Sequence, residues 1–333
     1  MKNQFSRRRF LELGAAAAGL AFIPMDLNAG DQKQKKESKP KKPNSKFGGV
    51  QVGAITYSWR SMPSTAEDIL KYCLQTGISS IELMGDVAEN YAGIPRSAAR
   101  PGRGANISEA DKAKMAQLAK EASQAQKKWR QSASMDKYVE LRKMFNNAGV
   151  QIHIVKFAPG RWSDEEIEYS FKAAKALGAK GVCDEIGEEA CKRMGPVAEK
   201  HGMLAIFHNH LQPGEPGWSF DKFLEYSPAN VLNFDAGHYF GATGLHPNGI
   251  IEKFHDRMIS VHMKDKTGPK GNPANTNMSW GTGETPIADI LLLIKKNKWP
   301  IHADIELEYP VPEGSDAVAE VKKCVEFSRK ILA

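Results

Sequence analysis

From Phe47 onward, short apolar runs alternate with amphipathic stretches. Eight runs read as strands: 50–58 (VQVGAITYS), 80–85 (SIELMG), 150–157 (VQIHIVKF), 179–186 (AKGVCDEI), 203–210 (MLAIFHNH), 230–238 (NVLNFDAGH), 258–265 (MISVHMKD) and 301–309 (IHADIELEY). Successive strand residues point to opposite faces, so alternation sorts each run into two sides. Asn233 and Asp235 oppose Leu232 and Phe234. Ser260, His262 and Lys264 oppose Ile259, Val261 and Met263. Asp304, Glu306 and Glu308 oppose Ile305, Leu307 and Tyr309. Between the runs the period changes: Ile167, Phe171, Ala174 and Leu177 make one helical stripe, which Gly178 is placed to close.

Eight strand–helix units in one run predict a single-domain α/β fold, a (β/α)8 TIM barrel spanning 47–333. The last helix should then cover the outside of the first and last strands. A doubly wound sheet is the alternative, and the lack of a GxGxxG loop after the first strand weighs against its nucleotide-binding form. The connection over 86–149, between strands two and three, is abnormally long. Its first part is polar and rich in turn formers, its second part reads as helical, and Trp129 and Arg130 are the residues in it suited to a lid.

The formal charge of +7 does not belong to this repeating region. The first 46 residues hold 11 Lys and Arg against 4 Asp and Glu, which leaves 35 of each in the remainder. The barrel therefore has no net basic charge for a nucleic-acid partner. Ser6-Arg7-Arg8-Arg9-Phe10-Leu11 before the short apolar run 13–23 is similar to a twin-arginine export signal. That run is too short for an ordinary membrane helix, which needs about 20 apolar residues. The expectation is a signal over 1–29, a Lys-rich linker over 30–46, a periplasmic location and no stable membrane span. Cys73, Cys183, Cys191 and Cys324 have no metal-type CxxC spacing and read as buried small residues. Nothing in the sequence sets an oligomeric state.

Barrel active sites lie at the carboxyl ends of the strands. Strands three to eight end in Lys156; Asp184 and Glu185; His208 and His210; Asp235 and His238; His262 and Lys264; Glu306 and Glu308. Carboxylates gathered in a barrel mouth repel one another and lose hydration, and a divalent cation relieves both costs. Asp235, His262 and one of Glu306 or Glu308 are the metal candidates, with Glu185 less decided. Mixed imidazole and carboxylate donors suit Mn, Co, Zn or Fe better than Mg. Lys156 reads as a substrate contact or ion-pair partner rather than a nucleophile. His201, His246, His255 and His302 fall outside the strand ends and read as structural or exposed.

FHNH, FDAGH, SVHMKD, WGTGETPI and IELEY, in that order, resemble the xylose-isomerase-like barrels, which include sugar isomerases and epimerases, inosose dehydratases and endonuclease IV. The resemblance implies one divalent ion on His208, Asp235, His262 and Glu306. It makes His238 a substrate contact and places Trp280, in the glycine loop, at the pocket. His210, His238, Glu308 and Lys156 are then the acid–base and catalytic candidates, and Lys264 binds substrate. Epimerase-like members carry Glu where this chain has His208, which speaks against a two-glutamate ketohexose epimerase. The function implied is an exported isomerase or epimerase taking a proton beside the carbonyl of an unphosphorylated sugar or keto-sugar. The alternatives are a lyase or dehydratase on a 3-keto sugar or keto-glycoside, a non-catalytic periplasmic sugar-binding barrel and, least favoured, an endonuclease-like enzyme.

Overall fold

The computed structural model describes residues 42–96 and 108–333. The expected signal and most of the linker lie outside the described residues, as does the centre of the turn-rich part of the long connection. The barrel belongs to a compact unit that spans Lys42–Ala333. Ser45 is buried and donates to Val52 O, so the last residues of the expected linker are already joined to the barrel.

Eight parallel strands close on themselves. In chain order they are β1 (Val50–Ile55), β2 (Ser80–Met84), β3 (Gln151–Lys156), β4 (Gly181–Glu185), β5 (Leu204–His208), β6 (Asn230–Asp235), β7 (Met258–Met263) and β8 (His302–Ile305). Each pairs with its sequence neighbour, and β8 returns to β1 through Ala303–Val52 and Ile305–Ala54. This is the expected (β/α)8 barrel, and closure gives each of the eight strands a neighbour on both sides. Among the described residues, no helix is long and apolar enough to cross a membrane.

The covering helices form where the sequence caps them. Thr65 and Asp68 make a capping box on α1 (Ala66–Thr76), and Ser163 and Glu166 make one on α5 (Asp164–Leu177). Gly178 closes α5 in the left-handed region, where a residue without Cβ has no steric penalty. The last helix, α11 (Ala317–Leu332), buries Val321, Cys324, Val325 and Leu332 and contacts β1 and β8 as expected. All four cysteines are buried and free.

The long connection holds three helices: α2 (Gly85–Ala92), α3 (Glu109–Ser132) and α4 (Asp136–Ala148). Helix α2 starts directly after β2, within the part that is polar and rich in turn formers. Helix α3 has no fully buried side chain and is held by its C-terminal end, where Trp129 and Arg130 are partly buried. Arg130 grips Glu89 of α2 with two nitrogens at 2.7 and 2.9 Å and Glu166 of α5 at 3.0 Å, and its guanidinium stacks on Trp162. Trp129 meets Tyr169 of α5 edge-on. Both expected lid residues are thus committed to anchoring the insertion.

The barrel interior divides in two. Ile154, Cys183, Ile206, Val231 and Ile259, from β3 to β7, form an apolar plug. Alternation groups Ile259 with Val261 and Met263, on the side opposite His262. A register shift between Leu232 and Asn233 leaves Ile259 without a partner and turns it inward. The other half, from β2, β3, β6, β7 and β8, is polar: Glu82, His153, Asn233, Ser260, His262 and Asp304 are all fully buried. Gly53 makes room for it, because a Cβ there would stand 2.0 Å from Asp304 Oδ1.

Candidate active site

The polar half rises to the C-terminal mouth, and several expected strands end short of it. Strand β5 stops at His208, so His210 belongs to the following loop, and the two rings stand perpendicular with centroids 4.9 Å apart. Two apart in the expected strand, they would share one face; the strand's end at His208 sets them at a corner instead. Strand β6 stops at Asp235, which caps α8 (Ala236–Thr243) by accepting from the His238 amide at 2.7 Å. Strand β8 stops at Ile305, leaving Glu306 and Glu308 on the outgoing loop. Ser58 Oγ fixes that loop by donating to Ile305 O and accepting from Leu307 N.

His208, Asp235, His262 and Glu306 each offer a donor atom, all within 4.8 Å of one another. Donors on opposite sides of one ion, at bonds of about 2.0–2.3 Å, stand just over 4 Å apart, so the spacing is close to a single coordination shell. Asp235 Oδ1 is used by the α8 amide. Its Oδ2 is buried, 2.9 Å from the Lys264 ammonium and 3.8 Å from His208 Nε2. His208 is buried and its basicity falls well below the usual histidine range, first through desolvation and then through Lys156 and His262, so it presents a neutral ring. These residues fit a borderline divalent cation.

Lys264 stands beside them, its ammonium 2.9 Å from Asp235, 3.0 Å from Glu306 and 2.8 Å from Glu308. Burial opposes its charge, but these carboxylates raise its affinity for the proton. Gly237 of the DAGH stretch permits this approach: a Cβ there would lie 2.2 Å from Lys264 Cγ and 2.6 Å from its carbonyl oxygen. Around the cluster, His238 Nε2 is 3.7 Å from Glu308 and 3.9 Å from Asp235. Desolvation lowers His238 to about 4, so its ring is neutral near pH 7. His210 stacks on His238 and sits 3.1 Å from Glu185, the main cause of its raised basicity. Glu185 Oε1 also meets Lys156 at 2.7 Å. Burial alone would raise the Glu185 carboxyl, but His210 and Lys156 outweigh it and hold it at about 2.

Ten of the eleven expected site residues therefore adjoin one cluster or its Glu185–His210 flank. Trp280 has its ring edge-on to Phe327 of α11, with a buried indole N–H that has no partner among the described residues. Its glycine loop is held from below by Asp265, which accepts from the amides of Gly281, Gly283 and Thr285. Sequence reasoning missed four residues. Asn209 accepts from Asp235 N at 2.9 Å and donates to Asp235 O at 3.2 Å. Glu82 meets His262 Nε2 at 2.6 Å, and Asn233 donates to Glu82 at 2.8 Å. Lys266 is buried with its ammonium on Asn277, and desolvation followed by Lys264 lowers its basicity. Alternation could have found Glu82, which stands on β2 between Ile81 and Leu83, and it already groups Asn233 with Asp235; Asn209 and Lys266 needed the fold. Deeper still, His302 stacks on His153, which bonds Asp304, consistent with the structural reading of His302.

A closed parallel barrel with an imidazole–carboxylate cluster at its strand ends defines the class. The chain belongs to the xylose isomerase-like TIM barrel family, whose model matches residues 70–331. It is 30% identical over 80 residues to an inosose dehydratase of Clostridium beijerinckii and 34% identical over 80 residues to one of Bacillus licheniformis. Each match covers 23% of this chain and spans about a quarter (26%) of the relative. Among solved structures it resembles a sugar phosphate isomerase/epimerase from Parabacteroides distasonis, with TM-score 0.57, 15% identity and coverage of 86% of this chain and 96% of that one. It also resembles the probable 3-DHS dehydratase AsbF of Bacillus anthracis, with TM-score 0.55, 14% identity and coverage of 83% and 98%. At these identities the structural matches show the fold alone.

Proposed function

We propose that the protein is an enzyme that removes a proton beside the carbonyl of an unphosphorylated sugar or keto-sugar, using one divalent ion. The observation that carries this reading is the convergence of His208, Asp235, His262 and Glu306 within 4.8 Å at the barrel mouth, with a second ring of ionisable groups around them. A bound Mn, Co, Zn or Fe ion would polarise the substrate carbonyl and offset the negative charge that develops on its oxygen. His238 and Glu308 border the cluster and are the candidate proton acceptors. Lys264, oriented by three carboxylates, faces substrate hydroxyl oxygens. His210, supported by Glu185 and in turn by Lys156, stands on the far side of His238 as the candidate donor. A carbanion next to a carbonyl can be reprotonated at another carbon or on the other face, which gives isomerisation or epimerisation.

Loss of a β-hydroxyl from the same carbanion gives dehydration. This second reading is favoured by the two inosose dehydratases among the relatives and by His208 where a two-glutamate epimerase would need a carboxylate. The export reading of residues 1–29 is also part of the proposal. A reporter fused to residues 1–46 should reach the periplasm and stay in the cytoplasm when Arg7 and Arg8 are replaced by lysine.

The test of the reaction is incubation of the purified protein with keto-sugars in D2O, followed by NMR. Deuterium at the carbon next to the carbonyl supports isomerase or epimerase chemistry, and an unsaturated product supports dehydration. Metal analysis should find about one divalent ion per chain, and Asp235→Asn should lose both ion and exchange. Protein that takes up no divalent metal, or an Asp235→Asn variant as active as the parent, would overturn the reading.

A further inference from the structure

We infer that Glu82, on β2 and outside the ligand set, is the positioning residue that turns His262 toward the metal. The inference rests on the proposed metal site and adds a residue that the ligand pattern does not contain. His262 is fully buried and uses both ring nitrogens: Nδ1 lies 2.6 Å from Glu306 and faces the ligand cluster, while Nε2 lies 2.6 Å from Glu82 and faces down the barrel. A histidine that binds a metal through one nitrogen must carry its hydrogen on the other, and an acceptor there fixes both tautomer and ring orientation.

Glu82 is built to be that acceptor. Ser260 Oγ donates to Asn233 Oδ1 at 2.6 Å, which directs the Asn233 amide nitrogen at Glu82 Oε2. The amide nitrogen also lies 3.0 Å from His262 Nε2. Because it is a donor already bound to Glu82, the Nε2 hydrogen is left to the carboxylate. The chain Ser260–Asn233–Glu82–His262 thus has a single direction; with the Nε2 hydrogen held at its end, Nδ1, which here donates to Glu306, is the nitrogen that would give up its proton and bind the metal. Three strands supply it, β2, β6 and β7, so the arrangement is set by barrel closure rather than by a loop.

Calorimetric titration with Mn²⁺ tests this on the full chain, comparing wild type, Glu82→Gln and Glu82→Leu. Gln keeps an oxygen that can accept from Nε2; Leu does not. Loss of an outer partner of a ligating histidine costs about 10–100-fold in metal affinity. The expected order is wild type, then Gln, then Leu, with Leu weaker by that factor. In the Zn²⁺-loaded wild type, long-range ¹H–¹⁵N spectra should show the His262 proton on Nε2 and a metal-bound Nδ1, and this pattern should disappear in Glu82→Leu. If Leu does not fold, the isosteric Gln variant and the wild-type spectrum carry the test. Equal Mn²⁺ affinity in wild type and the variants, or a His262 proton on Nδ1, overturns the positioning role while leaving the metal site standing. Absence of Mn²⁺ binding by wild type overturns the proposed function itself, and the positioning role with it.

Discussion

Replacing Lys264 with methionine tests how the acidic mouth is held together. The methionine fills nearly the same volume, so the change isolates the charge. Its ammonium stands within 3.0 Å of Asp235, Glu306 and Glu308. Only the Glu308 side chain, 20% exposed, can swing toward water; those of Asp235 and Glu306, at 0% and 6%, cannot. Removing one partner of a buried ion pair costs about 3–5 kcal/mol, because the remaining charge keeps its desolvation penalty. At about 2–3 °C per kcal/mol for a fold of this size, the metal-free variant should melt about 6–15 °C lower. A divalent ion on the same carboxylates replaces the missing charge, so the metal-induced rise in Tm should be larger in Lys264→Met than in wild type. Differential scanning calorimetry in chelator, then with excess Mn²⁺, reads both quantities. A metal-free variant melting within 2 °C of wild type would refute the claim that Lys264 compensates these carboxylates.

Two further substitutions probe the supports around the site. Asn209→Ala leaves the Asp235 amide buried without an acceptor and should cost about 1–3 kcal/mol in urea unfolding; it should also weaken Mn²⁺ binding, because Asp235 loses its backbone clamp. Arg130→Met breaks a largely buried contact to Glu89 and Glu166 at a cost of about 3–5 kcal/mol, and limited proteolysis should then cut within α3 faster than in wild type while sparing the barrel strands.

The period of the hydrophobic pattern was enough to count eight strands and to predict their closure, because a strand buried on its outer face must alternate whatever its neighbours are. The same alternation set Asp235, His262 and Lys264 on the inner side, and the capping residues of α5 marked its ends. Alternation says nothing about where a strand stops. His210, His238, Glu306 and Glu308 read as strand residues, yet they stand on the loop after β5, the first turn of α8 and the loop after β8, and that is why they surround the cluster instead of lining a wall. Nor can a local pattern show a bulge, which turned Ile259 into the interior. The partners of the site were least visible. Glu82 reaches His262 across 180 residues of chain, and Asn209 clamps Asp235 across 26. Each is an ordinary polar residue in its own segment and acquires its role only when the closed barrel brings distant strands side by side. The sequence by itself determined the repeating units and the chemical character of their ends; the tertiary structure decided which ends meet, because hydrogen-bond distances between strands are fixed by closure and not by neighbours along the chain.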